Sequence, residues 1–414
     1  MLKKIYFIPI FLFLTNILFA QPIQVTIDTL EFACFDKNSL RIPADATLLN
    51  LFFDKFDSVV RTGKGNINIL HIGGSHVQAG TFPHRIRKNI LQAYPESVAR
   101  RGMIFPYSVA PKCNNPIDYR VSSEQQFSLI RNVYKELEKP LGVTGIAVYT
   151  HDTLAEISFS FRGDSPRFET EKIYLLGFSD KNTIIPVIQI DTIEYQPVKI
   201  DTVLRRFTYS VKSFTDTFVI RMVNDSANVF TITGVFLDNA KSGITYHSIG
   251  VNGANVPSYL RCDYFVTDLE LLQPDLVIFG IGINDAAGDH FDTLEFVNNY
   301  IRLIDKVKEV NPNCAFIFIT NNDSYKKISR NKYAVNVRGP VVQQQFYKLA
   351  IMTGGAVWDQ FEIMGGLKSM DKWKDAGLAK NDRIHFNNQG YNLLGDLFFN
   401  AFIDTLIKRQ NREF

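Results

Sequence analysis

Residues 66–80 constrain the fold more than any other part of the chain. Residues 67–72 form a short apolar run of the kind that a buried parallel strand needs. Gly73 and Gly74 end this run, and Ser75 follows where the chain must turn toward a helix. In α/β folds a serine at such a turn lies at the carboxyl edge of the sheet, near the first free N–H groups of the helix. Ser75 is therefore a candidate nucleophile, although an ordinary helix-capping serine would have the same local sequence.

The segments around this turn alternate between strand and helix patterns. Apolar runs typical of buried strands occur at residues 275–281, 314–320 and 356–358. Amphipathic helical periods occur at residues 48–60, 81–94, 294–310 and 341–353 and from residue 389 onward. This alternation predicts a parallel sheet with helices on both of its faces. Residues 21–44 show no period and are expected to be a surface leader, and residues 101–116, rich in Pro, Gly and Asn, are expected to be loop.

Between residues 118 and 240 the pattern changes to short strands. Ala155, Ile157, Phe159 and Phe161 alternate with polar residues, which is the period of a half-buried strand. Similar short runs occur at residues 173–178, 203–211, 217–223 and 229–237. Repeated short strands of this kind predict an all-β, sandwich-like domain inserted into the α/β chain. The predicted division is a signal peptide at 1–20, a leader and helix at 21–64, the α/β domain at 65–117 and 241–414, and the insertion at 118–240.

The amino terminus has the features of a secretory signal. Lys3 and Lys4 precede an apolar stretch at residues 5–19, and the small residue Ala20 follows it. A membrane anchor is the alternative, but the stretch is short and Asn16 interrupts it. We therefore expect export to the periplasm or the extracellular space and cleavage near Ala20. No other segment approaches the length of a membrane span.

Charge and cysteine content exclude several classes of function. Without Lys3 and Lys4, residues 21–414 carry 43 basic and 42 acidic residues, so the charge gives no case for binding nucleic acid. The four cysteines do not show metal-ligand spacing. In an oxidising compartment they could pair in three ways, although Cys314 opens an apolar run and could equally be a buried free thiol.

Asp382 and His385 are candidates for the base that a serine nucleophile needs. They lie three residues apart on a segment just before the final predicted helix. An imidazole can take the proton of the serine, and a carboxylate can fix its tautomer and balance its charge. Alone, this spacing is a weak signal, because a helix-capping Asp followed by a surface His would have it too.

Two further segments could hold an oxyanion. Gly253 lies in a glycine turn after the inserted domain and could direct a backbone N–H. Asn284 follows the predicted strand at residues 275–281, in the crevice where open α/β sheets bind ligands. Its amide could donate to a developing negative charge. The alternative for Asn284 is a local turn hydrogen bond.

Together, and in this order, these segments resemble the SGNH (GDSL-like) hydrolase superfamily. The motifs are Gly73-Gly-Ser75, Gly253 within Val-Asn-Gly-Ala, Gly-Ile-Asn284-Asp and Asp382-Arg-Ile-His385. The resemblance implies a flavodoxin-like three-layer α/β/α sandwich with a parallel sheet. It also implies a Ser75–His385–Asp382 triad, with an oxyanion hole made by the N–H groups of Ser75 and Gly253 and the amide of Asn284. Neither a cofactor nor a metal is implied.

One position departs from the family pattern. Gly74 stands where the family usually has Asp, which leaves the support of the nucleophile turn in doubt. The form Gly-x-Ser-His, ending in Ser75 and His76, together with the β insertion, is similar to bacterial peptidoglycan O-acetylesterases. His76 could simply orient the turn or line the pocket.

The resemblance leads to a functional hypothesis with two alternatives. We expect a secreted serine esterase that removes acyl groups, mainly O-acetyl, from a cell-envelope or other glycan such as peptidoglycan. An O-acyltransferase would use the same residues, and a non-catalytic glycan-binding protein would explain Gly74. Nucleic acid and a stable membrane span are not expected, and the sequence leaves the oligomeric state open.

Overall fold

The structure is a computed structural model that describes residues 24–411 except 111–112, 114–115, 163–167, 182, 225–227, 289 and 331. The predicted signal peptide lies outside the described residues. Within the described residues, no helix combines the length and apolar character needed to cross a membrane. All four cysteines are unpaired, and Cys314 is fully buried.

The chain forms ten α-helices and 21 strands in its described part, numbered here in chain order. The helices are α1 (Thr47–Thr62), α2 (Ser75–Gln78), α3 (Thr81–Ala93), α4 (Val256–Leu260), α5 (Phe265–Leu272), α6 (Thr293–Val310), α7 (Gly339–Thr353), α8 (Gln360–Ile363), α9 (Ser369–Asp375) and α10 (Asn388–Gln410). The strands are β1 (Leu40–Arg41), β2 (Asn66–Gly73), β3 (Val98–Arg100), β4 (Gly102–Ile104), β5 (Tyr119–Ser122), β6 (Ser128–Arg131), β7 (Ile146–Tyr149), β8 (Leu154–Phe161), β9 (Thr170–Ser179), β10 (Val187–Ile190), β11 (Ile193–Tyr195), β12 (Lys199–Asp201), β13 (Arg206–Phe214), β14 (Thr217–Val223), β15 (Phe230–Asp238), β16 (Gly243–Gly250), β17 (Leu276–Gly280), β18 (Ala315–Ile319), β19 (Tyr325–Ser329), β20 (Lys332–Val335) and β21 (Ala356–Trp358).

A seven-stranded sheet is the centre of the α/β part. Its strand order is β1-β21-β18-β17-β2-β16-β3, and every pair is parallel except β1 with β21. The strand predicted at residues 67–72 is β2, which lies between β16 and β17. Because parallel strands all end at one edge, the segments that follow β2, β16 and β17 are brought close together.

Helices cover both faces of this sheet, as the alternation of β2 requires. Ile67 and Ile69 pack in one core cluster with α1, α3 and α10. Leu70 and Ile72, on the opposite face, pack in a second cluster with α5, α6 and α7. A strand buried on both faces is apolar at nearly every position, which explains the unbroken run in the sequence. The predicted three-layer α/β/α architecture is therefore confirmed.

Two antiparallel sheets form the inserted β part. Their orders are β11-β10-β14-β8-β5 and β12-β13-β9-β15-β7-β6, with β4 also pairing with β15. In β8, Ala155, Ile157 and Phe159 are buried, as their alternation predicts. Ile157 and Phe159 belong to the same core cluster as Val277 of β17, so the apolar interior runs on into the α/β part.

Several elements differ from the sequence-based expectations. The leader contributes β1, and the stretch expected as loop, residues 101–116, contains β4. The hairpin of β19 and β20 was not anticipated either. These strands are two to five residues long, so none of them contains enough residues to show a period of two. β1 and β4 are held by partners that are distant in sequence, for example Val235 of β15 opposite Ile104 of β4, whereas β19 and β20 pair with each other.

A buried carboxylate joins the two parts of the molecule and should make stability depend on pH. Asp268 of α5 accepts a hydrogen bond from the N–H of Val143 at 2.9 Å. Burial raises the pKa of Asp268 to about 7, although this hydrogen bond and the nearby Arg206 and Arg205 act in the opposite direction. The folded state binds the proton of Asp268 more tightly than the unfolded state. The contribution of this proton to the free energy of unfolding is therefore complete below about pH 4 and is lost as pH rises toward 7.

We therefore expect Asp268→Asn to remove part of this pH dependence. The amide keeps an acceptor for the N–H of Val143 but has no charge to bury. Between pH 5 and pH 8 the wild type should lose roughly 1–3 kcal/mol more of its free energy of unfolding than the variant. Urea unfolding at both pH values measures this difference. Equal losses in the two proteins would show that Asp268 does not titrate in this range.

Candidate active site

Three strands end in register on glycines and place the candidate residues side by side. Gly73 of β2 is paired with Gly250 of β16 and with Gly280 of β17. A Cβ on Gly250 would lie 2.3 Å from the backbone N of Gln78, and one on Gly73 would lie 2.5 Å from the carbonyl oxygen of Gly280. Only glycine allows the three backbones to approach this closely. The segments after these strands carry Ser75, Gly253 and Asn284.

Ser75 is the first residue of the short helix α2. The carbonyl oxygen of Gly74 accepts hydrogen bonds from the N–H groups of Val77 and Gln78, at 3.2 and 3.0 Å. The N–H of Ser75 belongs to the first turn, where a helix has no internal acceptor. It is therefore available to donate to an atom in front of the helix. The predicted order of strand, glycine turn, serine and helix is the order that the structure has.

His385 bridges Ser75 and Asp382. Its Nε2 lies 2.7 Å from the Oγ of Ser75, and its Nδ1 lies 2.9 Å from Oδ2 of Asp382. All three side chains are partly exposed, so a substrate can reach them. The structure thus brings together the three residues predicted as a triad, although Ser75 and His385 are 310 residues apart in sequence.

The segment that carries Asp382 and His385 is fixed by its own hydrogen bonds. Oδ1 of Asp382 accepts from the N–H groups of Ile384 and His385, both at 2.9 Å. Burial by itself raises the pKa of Asp382. Hydrogen bonds from the His385 ring and from these two N–H groups outweigh burial and hold the pKa well below its usual range. The carboxylate is therefore charged at any pH at which an imidazole can act as a base.

Arg383 holds this segment from the outside. It has a φ of +57°, a conformation that is unfavourable for a side chain of this size. Its guanidinium lies 4.4 Å from the ring centre of Tyr333, and its Nε pairs with Asp371 at 2.5 Å. The hairpin of β19 and β20 therefore supports the segment that carries the candidate base.

The predicted oxyanion donors lie on the two segments beside Ser75. Gly253 has a φ of +83°, so its turn needs a residue without a side chain. Asn284 donates through Nδ2 to the carbonyl oxygen of Ala254 at 2.8 Å, which ties its loop to the glycine turn. The same Nδ2 lies 3.5 Å from the position that a Cβ would take on Gly74. An amide group has two N–H donors, so Asn284 can make this bond and still donate to an oxyanion.

Two residues that the sequence analysis did not assign to the site hold these donors in place. Gln78, buried on α2, accepts a hydrogen bond from the N–H of Asn252 at 2.5 Å through its Oε1. Asp285 accepts from the N–H of Val256 at 3.1 Å, and burial raises its pKa to about 6. Gln78 is three residues after Ser75 and so lies on the same side of the helix. This spacing is the only feature of the sequence that points to a role for Gln78 at the site.

The inserted β part also reaches the glycine turn. Arg131 of β6 donates to the carbonyl oxygen of Asn252 at 3.4 Å. Val133 follows β6 and lies 4.0 Å from the position of a Cβ on Gly253. Residues of the insertion thus form one wall beside the predicted oxyanion hole.

A cleft opens next to the candidate triad. It has a volume of about 370 Å³ and runs between the loop that carries Asn284 and the hairpin of β19 and β20. Ile384, which precedes His385, also lines it. The walls are held by contacts between them, since Arg338 donates to the carbonyl oxygen of Ala286 at 3.2 Å. A preformed cleft of this size suits a small ligand or one unit of a polymer.

The structure offers no ready ligand set for a metal in the part of the chain that it describes. No group of three or more His, Cys, Asp or Glu side chains lies close enough to hold an ion among those residues. The independence from metal that the family resemblance implies remains a prediction.

Sequence comparison finds a family match in the second part of the chain. Residues 235–393 match the GDSL-like Lipase/Acylhydrolase family. This segment includes Gly253, Asn284, Asp382 and His385, whereas Ser75 lies before it. No curated protein sequence matches the chain significantly. The predicted resemblance to the SGNH (GDSL-like) hydrolases is confirmed.

Among solved structures, a peptidoglycan O-acetylesterase has the same fold, with a TM-score of 0.70 and 18% identity over 86% of this chain and 96% of that one. An acetyl xylan esterase, AlAXEase, aligns with a TM-score of 0.31 and 19% identity over 38% of this chain and 81% of that one. A lipase/acylhydrolase from Enterococcus faecalis aligns with a TM-score of 0.29 and 20% identity over 40% and 77%. The first alignment covers more of the chain than the α/β part contains, so the shared fold includes antiparallel strands of the insertion.

The bond between Gln78 and Asn252 predicts a loss of turnover without a loss of binding. Gln78→Met keeps the size of the side chain but removes the acceptor for the N–H of Asn252, so the Gly253 turn should loosen. We expect kcat for an activated ester to fall about 10-fold, with KM changed by less than about 2-fold. The matched control is Gln343→Met, because Gln343 of α7 loses a hydrogen bond to Asp359 on another part of the molecule. Equal effects of the two substitutions on kcat would contradict this role of Gln78.

The space around Gly74 predicts that an aspartate is tolerated there. Gly74 has a φ of −95°, and a Cβ would make ordinary contacts at 3.5 Å with the carbonyl oxygen of Ala254 and with Nδ2 of Asn284. Gly74→Asp should therefore preserve or raise kcat, since the carboxylate adds an acceptor for local backbone N–H groups. Gly74→Ala is the control for the added Cβ alone. A well-folded Gly74→Asp protein with little turnover would show that the turn requires glycine.

Proposed function

We propose that the protein is a secreted serine esterase of the SGNH type that removes acyl groups, chiefly O-acetyl, from a cell-envelope or other glycan. The observation that carries this proposal is the continuous hydrogen-bonded series from the Oγ of Ser75 through the His385 ring to the carboxylate of Asp382. A helix-capping serine and a surface histidine would have no reason to meet in this geometry. The family match of residues 235–393 supports the same class of chemistry.

The first half of the proposed reaction forms an acyl-enzyme. The Oγ of Ser75 attacks the ester carbonyl carbon while His385 takes the hydroxyl proton on Nε2, 2.7 Å away. Asp382, held as an anion, balances the imidazolium charge through Nδ1. When the tetrahedral intermediate collapses, the bond to the sugar oxygen breaks and His385 returns its proton to that oxygen.

The second half releases the acyl group. A water molecule gives a proton to His385 and attacks the acyl carbon. When this second intermediate collapses, the bond from the acyl carbon to the Oγ of Ser75 breaks and His385 passes the proton to Oγ. The carboxylic acid and the free enzyme are formed. In both halves the carbonyl oxygen becomes negative. The N–H groups of Ser75 and Gly253 and the amide of Asn284 would hold this oxyanion, each through a donor that is already oriented before the reaction.

Three observations favour a glycan ester as the substrate. The structure with the same fold over 86% of this chain is described as a peptidoglycan O-acetylesterase. The cleft beside Asn284 has room for a unit of a polymer and combines apolar with polar lining residues. The contact of Arg131 with the carbonyl oxygen of Asn252 brings the β insertion beside the turn that carries Gly253.

The proposed location is the periplasm or the extracellular space. It rests on the sequence alone, namely Lys3 and Lys4, the apolar residues 5–19 and Ala20. Amino-terminal sequencing of the protein from the culture or the periplasm tests it. A mature chain that begins near Gln21 supports export, and a protein retained in the cytosol with Met1 intact contradicts it.

The direct test is the loss of ester cleavage when single site residues are changed. Ser75→Ala and His385→Ala should each abolish nearly all acetate release, and the double mutant should lose little more because the pair acts as a unit. Asn284→Ala should slow turnover by about 10²-fold while KM stays nearly constant. A chelator should change nothing. Ser58→Ala, on the exposed side of α1, is the matched control.

The assay uses O-acetylated glycans, including peptidoglycan, with an activated acetyl ester as the small substrate. Full activity of Ser75→Ala would overturn the mechanism, as would inhibition by chelator that added metal reverses. Acetylated product formed only when a sugar acceptor is present would identify the acyltransferase alternative. Glycan binding without any turnover of either substrate would identify the non-catalytic alternative.

A further inference from the structure

His76 is a second histidine at the candidate active site, and the proposed mechanism does not use it. It follows Ser75 in α2, and its ring centre lies 5.1 Å from that of His385 with an angle of 37° between the planes. Its Nδ1 is hydrogen-bonded to the Oη of Tyr391 at 2.9 Å. Tyr391 belongs to α10 and is buried, so this hydrogen bond links His76 to a helix that packs in the core of the α/β part.

The contacts of His385 explain why a ring at this position matters. Ser75 and Asp382 bind its two nitrogens, at 2.7 and 2.9 Å. These hydrogen bonds and the bond to Cβ hold the ring, but hydrogen bonds resist small tilts out of the ring plane only weakly. A neighbouring ring can limit such tilts, and the His76 ring centre lies 5.1 Å from that of His385.

The second nitrogen of His76 takes no part in the candidate triad. Its Nε2 is buried and has no hydrogen-bond partner among the described residues, as is also true of the core histidines His71 and His247. The group of His76 that meets His385 is therefore its ring. His76 lines a cavity of about 30 Å³ together with His71, Asn321 and Gln360, which is room for one water molecule.

The surroundings also favour a neutral His76. Burial, together with His385 and Lys380, lowers the pKa of His76 to about 3, although Asp382 acts in the opposite direction. Tyr391, its hydrogen-bond partner, is uncharged at neutral pH. A neutral neighbour does not oppose the positive charge that His385 gains when it takes the proton of Ser75, whereas a charged one at this distance would.

We propose that His76 is a positioning residue, which holds the His385 ring by ring-to-ring contact so that Nε2 stays directed at the Oγ of Ser75. This inference rests on the proposed function, because it assigns a role within that catalytic centre. It assigns His76 no contact with substrate and no proton transfer. The His76 ring, held by its hydrogen bond to Tyr391, restrains the position of the His385 ring.

Three substitutions distinguish the effect of the His76 ring from the effect of its nitrogen atoms. His76→Ala removes the packing, and we expect kcat to fall about 10- to 100-fold with KM changed by less than about 2-fold. His76→Phe keeps a ring of similar size and should retain kcat within about 3-fold of the wild type. Tyr391→Phe removes only the anchor and should give an intermediate kcat. His151→Ala is the matched control, since the His151 ring packs against Tyr149 in the β insertion, 5.7 Å between centres.

A spectroscopic measurement makes the test independent of turnover. The proton shared between Nδ1 of His385 and Asp382 should give a downfield proton NMR signal in the wild type and in His76→Phe, and this signal should broaden or disappear in His76→Ala. A His76→Ala protein with wild-type kcat and an unchanged signal overturns the inference. So does a folded His76→Phe protein as slow as His76→Ala, because the nitrogens and not the ring would then matter. If the wild type cleaves no ester at all but the signal behaves as expected, the proposed function fails and the positioning role stands.

Discussion

The candidate active site depends on the parallel alignment of three strands that end on glycines. Gly73, Gly250 and Gly280 lie at the same level of the sheet, so the three segments that follow leave it at one point. The backbones then approach so closely that a Cβ on Gly250 would meet the backbone N of Gln78 at 2.3 Å. A shift of one residue in either pairing would separate Ser75 from its neighbours by a full strand residue, about 3.3 Å. Register is thus a requirement of the chemistry and not only of the fold.

The predicted base reaches this point from the far end of the chain. Asp382 and His385 lie in a short segment before α10, and α10 packs against α3, the helix that follows the nucleophile turn. The segment does not rely on this packing alone. Asp382 binds two N–H groups of its own segment, and Arg383 adopts a positive φ so that its guanidinium can lie on Tyr333 and pair with Asp371. The unfavourable backbone at Arg383 is stabilised by these contacts, and strain of this kind is common where a catalytic group must be held.

The sequence predicted the parts of this arrangement that depend on residue type over short distances. A glycine turn before Ser75, an amide after a strand and an Asp three residues before a His are local patterns, and the structure brings all of them together. The contacts that align them were not predictable. Gln78 is recognisable as a support only when Asn252 is seen opposite it, 174 residues away. The hairpin of β19 and β20 could not be predicted from the sequence either, because its strands are only five and four residues long and its role comes from the contact of Tyr333 with Arg383.

The insertion is more than a separate module joined to a catalytic core. Its apolar interior is continuous with that of the α/β part, and Asp268 of α5 takes the backbone N–H of Val143 within it. Arg131 and Val133 then stand at the glycine turn itself. Because an oxyanion donor must keep its position to within a fraction of an ångström, whatever packs against the Gly253 turn can alter turnover. A substrate that contacts the insertion near Arg131 would therefore act on the same turn that is proposed to stabilise the oxyanion. In this way the binding of a polymeric substrate and the cleavage of its ester would be coupled through one short segment of backbone.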